Sequence, residues 1–207
     1  MTPRHSLSSG SAERLRSGQV ERLAAVAAPA GLLVYAGFRF ADGLDGGYGP
    51  GFAWNVGHVF FLVAMLSFAA FAVAAGRRIG GPLPIGAATA VVAGVTAFAW
   101  VIAGDLFPAF ADAVAVPDPV TIAGPLLLVA GLLPLFALVA RERMGRWWAS
   151  APIFGVVGFA LISADLDLLA AAAMAFGVAM LPLAVLEPGD QGYRRPSVPA
   201  TGDSGVT

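Results

Sequence analysis

Apolar residues in this chain come in long runs rather than in alternation with polar ones. Six segments carry almost no charge, at approximately 23–41, 53–75, 83–104, 119–140, 148–165 and 168–186. Each is near the roughly 20 residues needed to cross a bilayer core. Backbone polar groups in lipid must be satisfied within the segment, so these runs predict helices. The second is the clearest, since His58 and Ser67 are the only strongly polar side chains between Gly57 and Gly76. The fifth and sixth are separated only by Ser163-Ala164-Asp165-Leu166-Asp167. Two aspartates there fit a tight surface turn better than the middle of a bilayer. A five-span reading, with one of these segments lying in the interface, is the alternative.

The pattern therefore predicts an all-α, polytopic transmembrane bundle of six helices over residues 22–186. A polar tail (1–21) precedes it, with helix beginning near Ala12 and running on into the first span. A Pro/Gly/Ser-rich tail (187–207), expected to be disordered, follows it. Neither tail is long enough for a catalytic domain.

Composition sharpens this picture by exclusion. Of 207 residues 58% are hydrophobic and 12% charged, against about 25% charged in a soluble domain. A soluble globule and a disordered chain are both excluded. There is no cysteine, which removes disulfides, thiol nucleophiles, Fe–S clusters and Cys-type zinc sites. All 12 basic residues are arginine. With abundant Ala and Gly, this reads as the codon usage of a GC-rich prokaryotic genome, and it removes lysine-based Schiff-base and P-loop chemistry.

The net charge of −1 conceals a separation. Arg4, Arg14, Arg16, Arg22, Arg77, Arg78, Arg141, Arg143, Arg146, Arg194 and Arg195 all fall on one side of a six-span arrangement. The other side has Arg39 and seven aspartates: Asp42, Asp45, Asp105, Asp112, Asp118, Asp165 and Asp167. The positive-inside rule then predicts that both termini are cytoplasmic, in a multi-pass protein of the cell membrane. Trp147 and Trp148 beside Arg146, and Trp54 and Trp100 near the opposite ends of spans 2 and 3, fit aromatic belts. No convincing cleavage site follows the first apolar run, so a cleaved signal peptide is not expected.

Small residues at four-residue spacing predict close helix packing. They are Gly86-x3-Ala90-x3-Gly94 in span 3, Ala151-x3-Gly155 in span 5 and Ala173-x3-Gly177 in span 6. Pro29, Pro125, Pro134, Pro152 and Pro182 lie within or near span ends and invite kinks. Spans 1, 3 and 5 each end in a small residue followed by aspartate (Asp42, Asp105, Asp165), a pattern compatible with three repeated hairpins.

Candidate chemistry gathers in one layer. His58 lies about 7 Å below the aspartate-side end of span 2, with Asn55 and Trp54 one turn above it. Tyr35 and Arg39 of span 1, Trp100 and Asp105 of span 3, and Ser163 and Asp165 of span 5 share that level. Ser67, Thr89 and Ser150 in the other half are scattered. An outward-facing polar pocket follows. His58 is its titratable group, Arg39 an anion anchor, and Asp105, Asp42 or Asp165 the counter-charges. The competing reading is plain structure, with Arg39 snorkelling to the interface and His58 making one interhelical hydrogen bond.

Other chemistries fail on ligand count or motif. Bis-His haem needs a second membrane histidine, and His5 lies in the tail. A three-His zinc site has too few ligands. No Gly-x-Ser-x-Gly, phosphate loop, EF-hand or dinucleotide fingerprint is present. No catalytic, cofactor or metal residues are assigned.

The stretch Ala53-Trp54-Asn55-Val56-Gly57-His58-Val59-Phe60-Phe61-Leu62, entering a helix that ends Gly76-Arg77-Arg78, resembles a pattern in uncharacterised prokaryotic membrane proteins. Those are small six-helix proteins with Trp-x3-His at the start of the second helix. The resemblance covers spans 1 to 3. It implies the architecture and directs attention to Trp54 and His58, but implies no activity.

The expected function is that of a non-enzymatic accessory or sensor-type membrane protein. A small-solute or proton-linked transporter is the alternative, and an outer-leaflet enzyme acting on lipids or quinones comes third. The expected partners are the lipid bilayer and a membrane protein or second copy of the chain, not nucleic acid. A transporter needs a polar path to the inner side, and none is visible in spans 2 to 5.

Overall fold

The computed structural model describes residues 9–45 and 47–186, with side chains described from Ser17 onward except that of Asp45. The expectations for residues 187–207 and for Arg4, Arg194 and Arg195 lie outside the described residues. Among the described residues the fold is all-α. The helices are α1 (Ser9–Asp42), α2 (Phe52–Ile79), α3 (Pro82–Leu106), the short α4 (Pro108–Ala113), α5 (Asp118–Arg143), α6 (Ser150–Ala164) and α7 (Leu169–Val185).

Six helical stretches are long and apolar enough to cross a membrane: Ser17–Asp42, Phe52–Ile79, Pro82–Leu106, Asp118–Arg143, Gly145–Ala164 and Leu166–Val185. The last two include a 3-10 turn ahead of α6 and another ahead of α7. The chain is a polytopic membrane protein of six apolar helices. α1 is longer than the predicted first span, because its helix runs back through the polar segment to Ser9.

The long helices form a closed ring in chain order. α1 packs on α2, α2 on α3, α3 on α5, α5 on α6, α6 on α7, and α7 returns to α1. This is a ring of three consecutive hairpins, with α5 also reaching α2 and α7. Its interior is filled with aromatic rings. Phe68 of α2 meets Phe176 of α7 at 5.4 Å between centroids, and Phe71 of α2 meets Phe136 of α5 at 5.8 Å. Leu132, Leu135, Met180 and Leu183 are buried around them.

Only part of the small-residue prediction describes the packing. Gly94 does lie where α3 crosses α5, since a Cβ there would fall 2.7 Å from the Gly124 carbonyl oxygen and from the Leu128 nitrogen. Gly131 of α5 faces Ala87 and Val91 in the same crossing. Gly86, by contrast, has open space beside it, so the crossing follows Ala87, Val91 and Gly94 rather than the Gly86 stripe. A four-residue ridge drifts around a straight helix with a period of 3.6, which is why one end of the stripe leaves the contact. Gly155 does face a neighbour, the Phe136 ring. Ala173 and Gly177 are buried in α7. The helices run on past Pro29, Pro125, Pro134 and Pro182.

Isolated hydroxyls in the spans are satisfied locally. Ser67, Thr89 and Thr96 each donate to the carbonyl four residues earlier, a common solution for polar side chains on apolar helices.

Candidate functional site

Two polar clusters sit at opposite ends of the ring. At the end where α2 begins and α3 stops, Trp54 and His58 occupy one face of α2 at four-residue spacing. His58 is 4% exposed. Its Nδ1 lies 2.9 Å from the Trp54 carbonyl oxygen, and its Nε2 lies 3.3 Å from Oδ2 of Asp105 on α3. The Trp54 ring packs on the imidazole at 4.2 Å between centroids, and Tyr35 of α1 meets it edge-on at 5.5 Å. Trp54 Nε1 donates to the Asp105 backbone carbonyl at 3.3 Å. Gly57 makes this approach possible, since a Cβ there would lie 3.2 Å from the Tyr35 ring.

This geometry determines where protons must sit. A carbonyl only accepts, so His58 Nδ1 carries hydrogen. In a neutral imidazole Nε2 is then a bare acceptor, facing a carboxylate that, when ionised, is also acceptor-only. The contact is attractive only when the pair shares a proton, as imidazolium with carboxylate or as imidazole with carboxylic acid. Asp105 keeps 39% of its side chain exposed, whereas the ring it faces is buried.

Arg39 of α1 lies beside this knot rather than inside it. With Tyr35, Asp42, Trp54 and His58 it lines a void of only about 10 Å³, too small for a ligand. Its guanidinium covers the Tyr48 ring at 4.2 Å and approaches Oδ1 of Asp167 at 3.8 Å. Tyr48 donates its hydroxyl to the same carboxylate oxygen at 3.3 Å. On its other side Arg39 lines a much larger open cleft of about 610 Å³ between α1 and α7.

Of the residues singled out from sequence, the structure brings together His58, Trp54, Tyr35 and Asp105, with Arg39 at the edge. Asn55 is exposed, pointing away from the buried face. Trp100 donates instead to the Val114 carbonyl at 3.3 Å, tying α3 to the segment after α4. Asp165 caps the turn before α7, its Oδ1 accepting from the Asp167 amide at 2.9 Å. Asp42 accepts from the Gly49 amide at 3.2 Å. Asp167 and Tyr48, not assigned to the pocket from sequence, are the partners Arg39 meets.

The second cluster, at the arginine-rich end, was not anticipated. Glu21 of α1 is fully buried. Its Oε2 receives Arg78 Nε at 2.7 Å and its Oε1 receives Arg143 Nη2 at 2.8 Å. Arg78 also reaches Glu142 of α5 at 2.5 Å. Arg143 donates to the Leu183 carbonyl of α7. The buried carboxylate thus joins α1, α2 and α5, and Arg143 extends the tie to α7. Glu21 lies in line with the buried Ala25, Ala28, Leu32 and Tyr35 along α1, a spacing that could have marked it as inward-facing. Near it, Arg141 and Arg146 lie over Trp148 and Trp147 at 5.5 and 5.2 Å.

Among the described residues no three His, Asp or Glu side chains are grouped to hold a metal ion. No protein-family model matches the chain, nor does any curated protein or solved structure. The Trp54-x3-His58 likeness is one of motif alone.

Proposed function

We propose that this is a proton-responsive, non-enzymatic membrane protein, an accessory or sensor-type component of a prokaryotic cytoplasmic membrane. Both termini are cytoplasmic in this reading, and the His58 layer faces outward. The eleven-to-one partition of arginines supports that orientation. The observation that carries the function is the His58–Asp105 contact at 3.3 Å, with Nδ1 already committed to a carbonyl.

Loss of the shared proton leaves two acceptors opposed, and the half-exposed Asp105 side chain is the member free to swing away. Asp105 ends α3 and leads directly into α4, so the response is delivered to the outer loop at 107–117. The charged and titratable groups around the ring are Tyr35, Arg39 and Asp42 from α1 and Asp105 from α3.

The filled interior around Phe68, Phe71, Phe136 and Phe176 favours this reading over transport through the ring. Trp54 provides the test, because a protonated imidazole quenches an indole packed against it. Tryptophan emission of the purified protein should fall reversibly as pH is lowered from about 8 to 5, and His58→Gln should abolish the change. A pH response that survives in H58Q, or none in the wild type, overturns the proposal.

A further inference from the structure

We propose that the cleft between α1 and α7 holds one acyl chain of an ethanolamine-headed phospholipid, with its phosphate on Arg39 and its ammonium on Asp167. This does not depend on the proton response of His58.

The walls are apolar. Leu33, Ala36, Gly37 and Phe40 follow one another along one face of α1, opposite Leu169 and Ala170 of α7. From Leu33 to Gly43 the cleft follows ten residues of α1 and its following turn, about 15 Å at helical rise. That is half of a roughly 30 Å hydrocarbon core, the depth of one leaflet. The volume of about 610 Å³ lies within the roughly 300–1,000 Å³ of small-molecule sites.

The mouth is dipolar. Arg39 and Asp167 are the two charged residues lining it, so its formal charge is zero. At 3.8 Å they are too far apart for a hydrogen bond. The Asp167 carboxylate is 68% exposed. A phosphate matches the guanidinium, and an ammonium with N–H donors matches the carboxylate. Asp165, two residues from Asp167, adds negative charge, which disfavours a lipid of net negative charge.

Gly37 offers a clean way to close the site. A Cβ there meets nothing within 4 Å, so Gly37→Leu fills the cleft without a backbone clash. The purified full-length protein is titrated in dodecylmaltoside micelles with dioleoylphosphatidylethanolamine, -choline or -glycerol, and Tm is followed. The ethanolamine lipid should raise Tm, with half-effect at a mole fraction at least about tenfold below that of the glycerol lipid. Gly37→Leu should remove the rise, and Asp167→Asn should erase the preference for ethanolamine over choline. Should G37L fail to fold, the exposed D167N variant still decides the headgroup. Equal shifts with all three lipids, preference for the glycerol lipid, or an undiminished rise in folded G37L overturns the proposal.

Discussion

His58 Nε2 faces the Asp105 carboxylate across 3.3 Å, while the other ring nitrogen is held by the Trp54 carbonyl. Neither contact is unusual alone. Together they leave Nε2 as the one ring nitrogen not committed to a carbonyl, facing a carboxylate that is 39% exposed. At the other end of the ring, the fully buried Glu21 carboxylate holds two arginines in a network that meets water at Glu142, 38% exposed, and that ties α1, α2, α5 and α7 together.

The full burial of Glu21 predicts how this second cluster responds to substitution. Glu21→Ala leaves the buried Arg143 without its carboxylate and should destabilise the protein by about 3–5 kcal/mol. Replacing Glu21 and Arg143 together with apolar residues, Glu21→Leu with Arg143→Met, should be less damaging than Glu21→Ala alone, because Arg143 is no longer stranded and Arg78 keeps Glu142. Thermal unfolding in detergent reads this directly. A double variant worse than the single one would show that the network contributes more than charge compensation.

The α3–α5 crossing supplies a steric prediction. Gly94→Ala pushes a methyl group against the Gly124 carbonyl and the Leu128 nitrogen and should cost about 1–3 kcal/mol. Gly86→Ala, with open space beside it, should be neutral or stabilising by up to about 1 kcal/mol through helix propensity. Similar losses at the two positions would mean that α3 meets α5 along a different ridge.

Reporter fusions test the orientation. A fusion after Phe110, in α4, should report an external location, and one after Met144, just beyond α5, a cytoplasmic one. Both reporters on one side would refute the six-span crossing, and the reverse assignment would refute the orientation.

The six spans were legible in the sequence because a bilayer leaves little choice. A charge-free run of about 20 residues must be helical, and arginine placement separates its ends. Within the polar layer, depth along each helix brought His58, Tyr35, Arg39 and Asp105 to one level. Depth does not say which helices are neighbours. Asp105 meets His58 because α3 packs on α2, whereas Arg39 meets Asp167 because α7 closes the ring onto α1. Asp165 lies apart from His58 for a local reason: its carboxylate accepts from the Asp167 amide in the turn it caps. Glu21 reads as part of the polar tail because the segment before it is polar. Its burial depends on Arg78 and Arg143, 57 and 122 positions away (78 − 21 and 143 − 21), converging on it.

The most direct test concerns the protons on His58. The chain has two histidines, so a His5→Gln variant carries His58 alone, and its ring nitrogens can be followed by ¹⁵N NMR in labelled protein as pH is varied. The account predicts that Nδ1 stays protonated throughout. Nε2 alone should gain and lose its proton, and Asp105→Asn should perturb the Nε2 resonance far more than that of Nδ1. A neutral ring with its proton on Nε2, or a pair of resonances indifferent to Asp105→Asn, would contradict it.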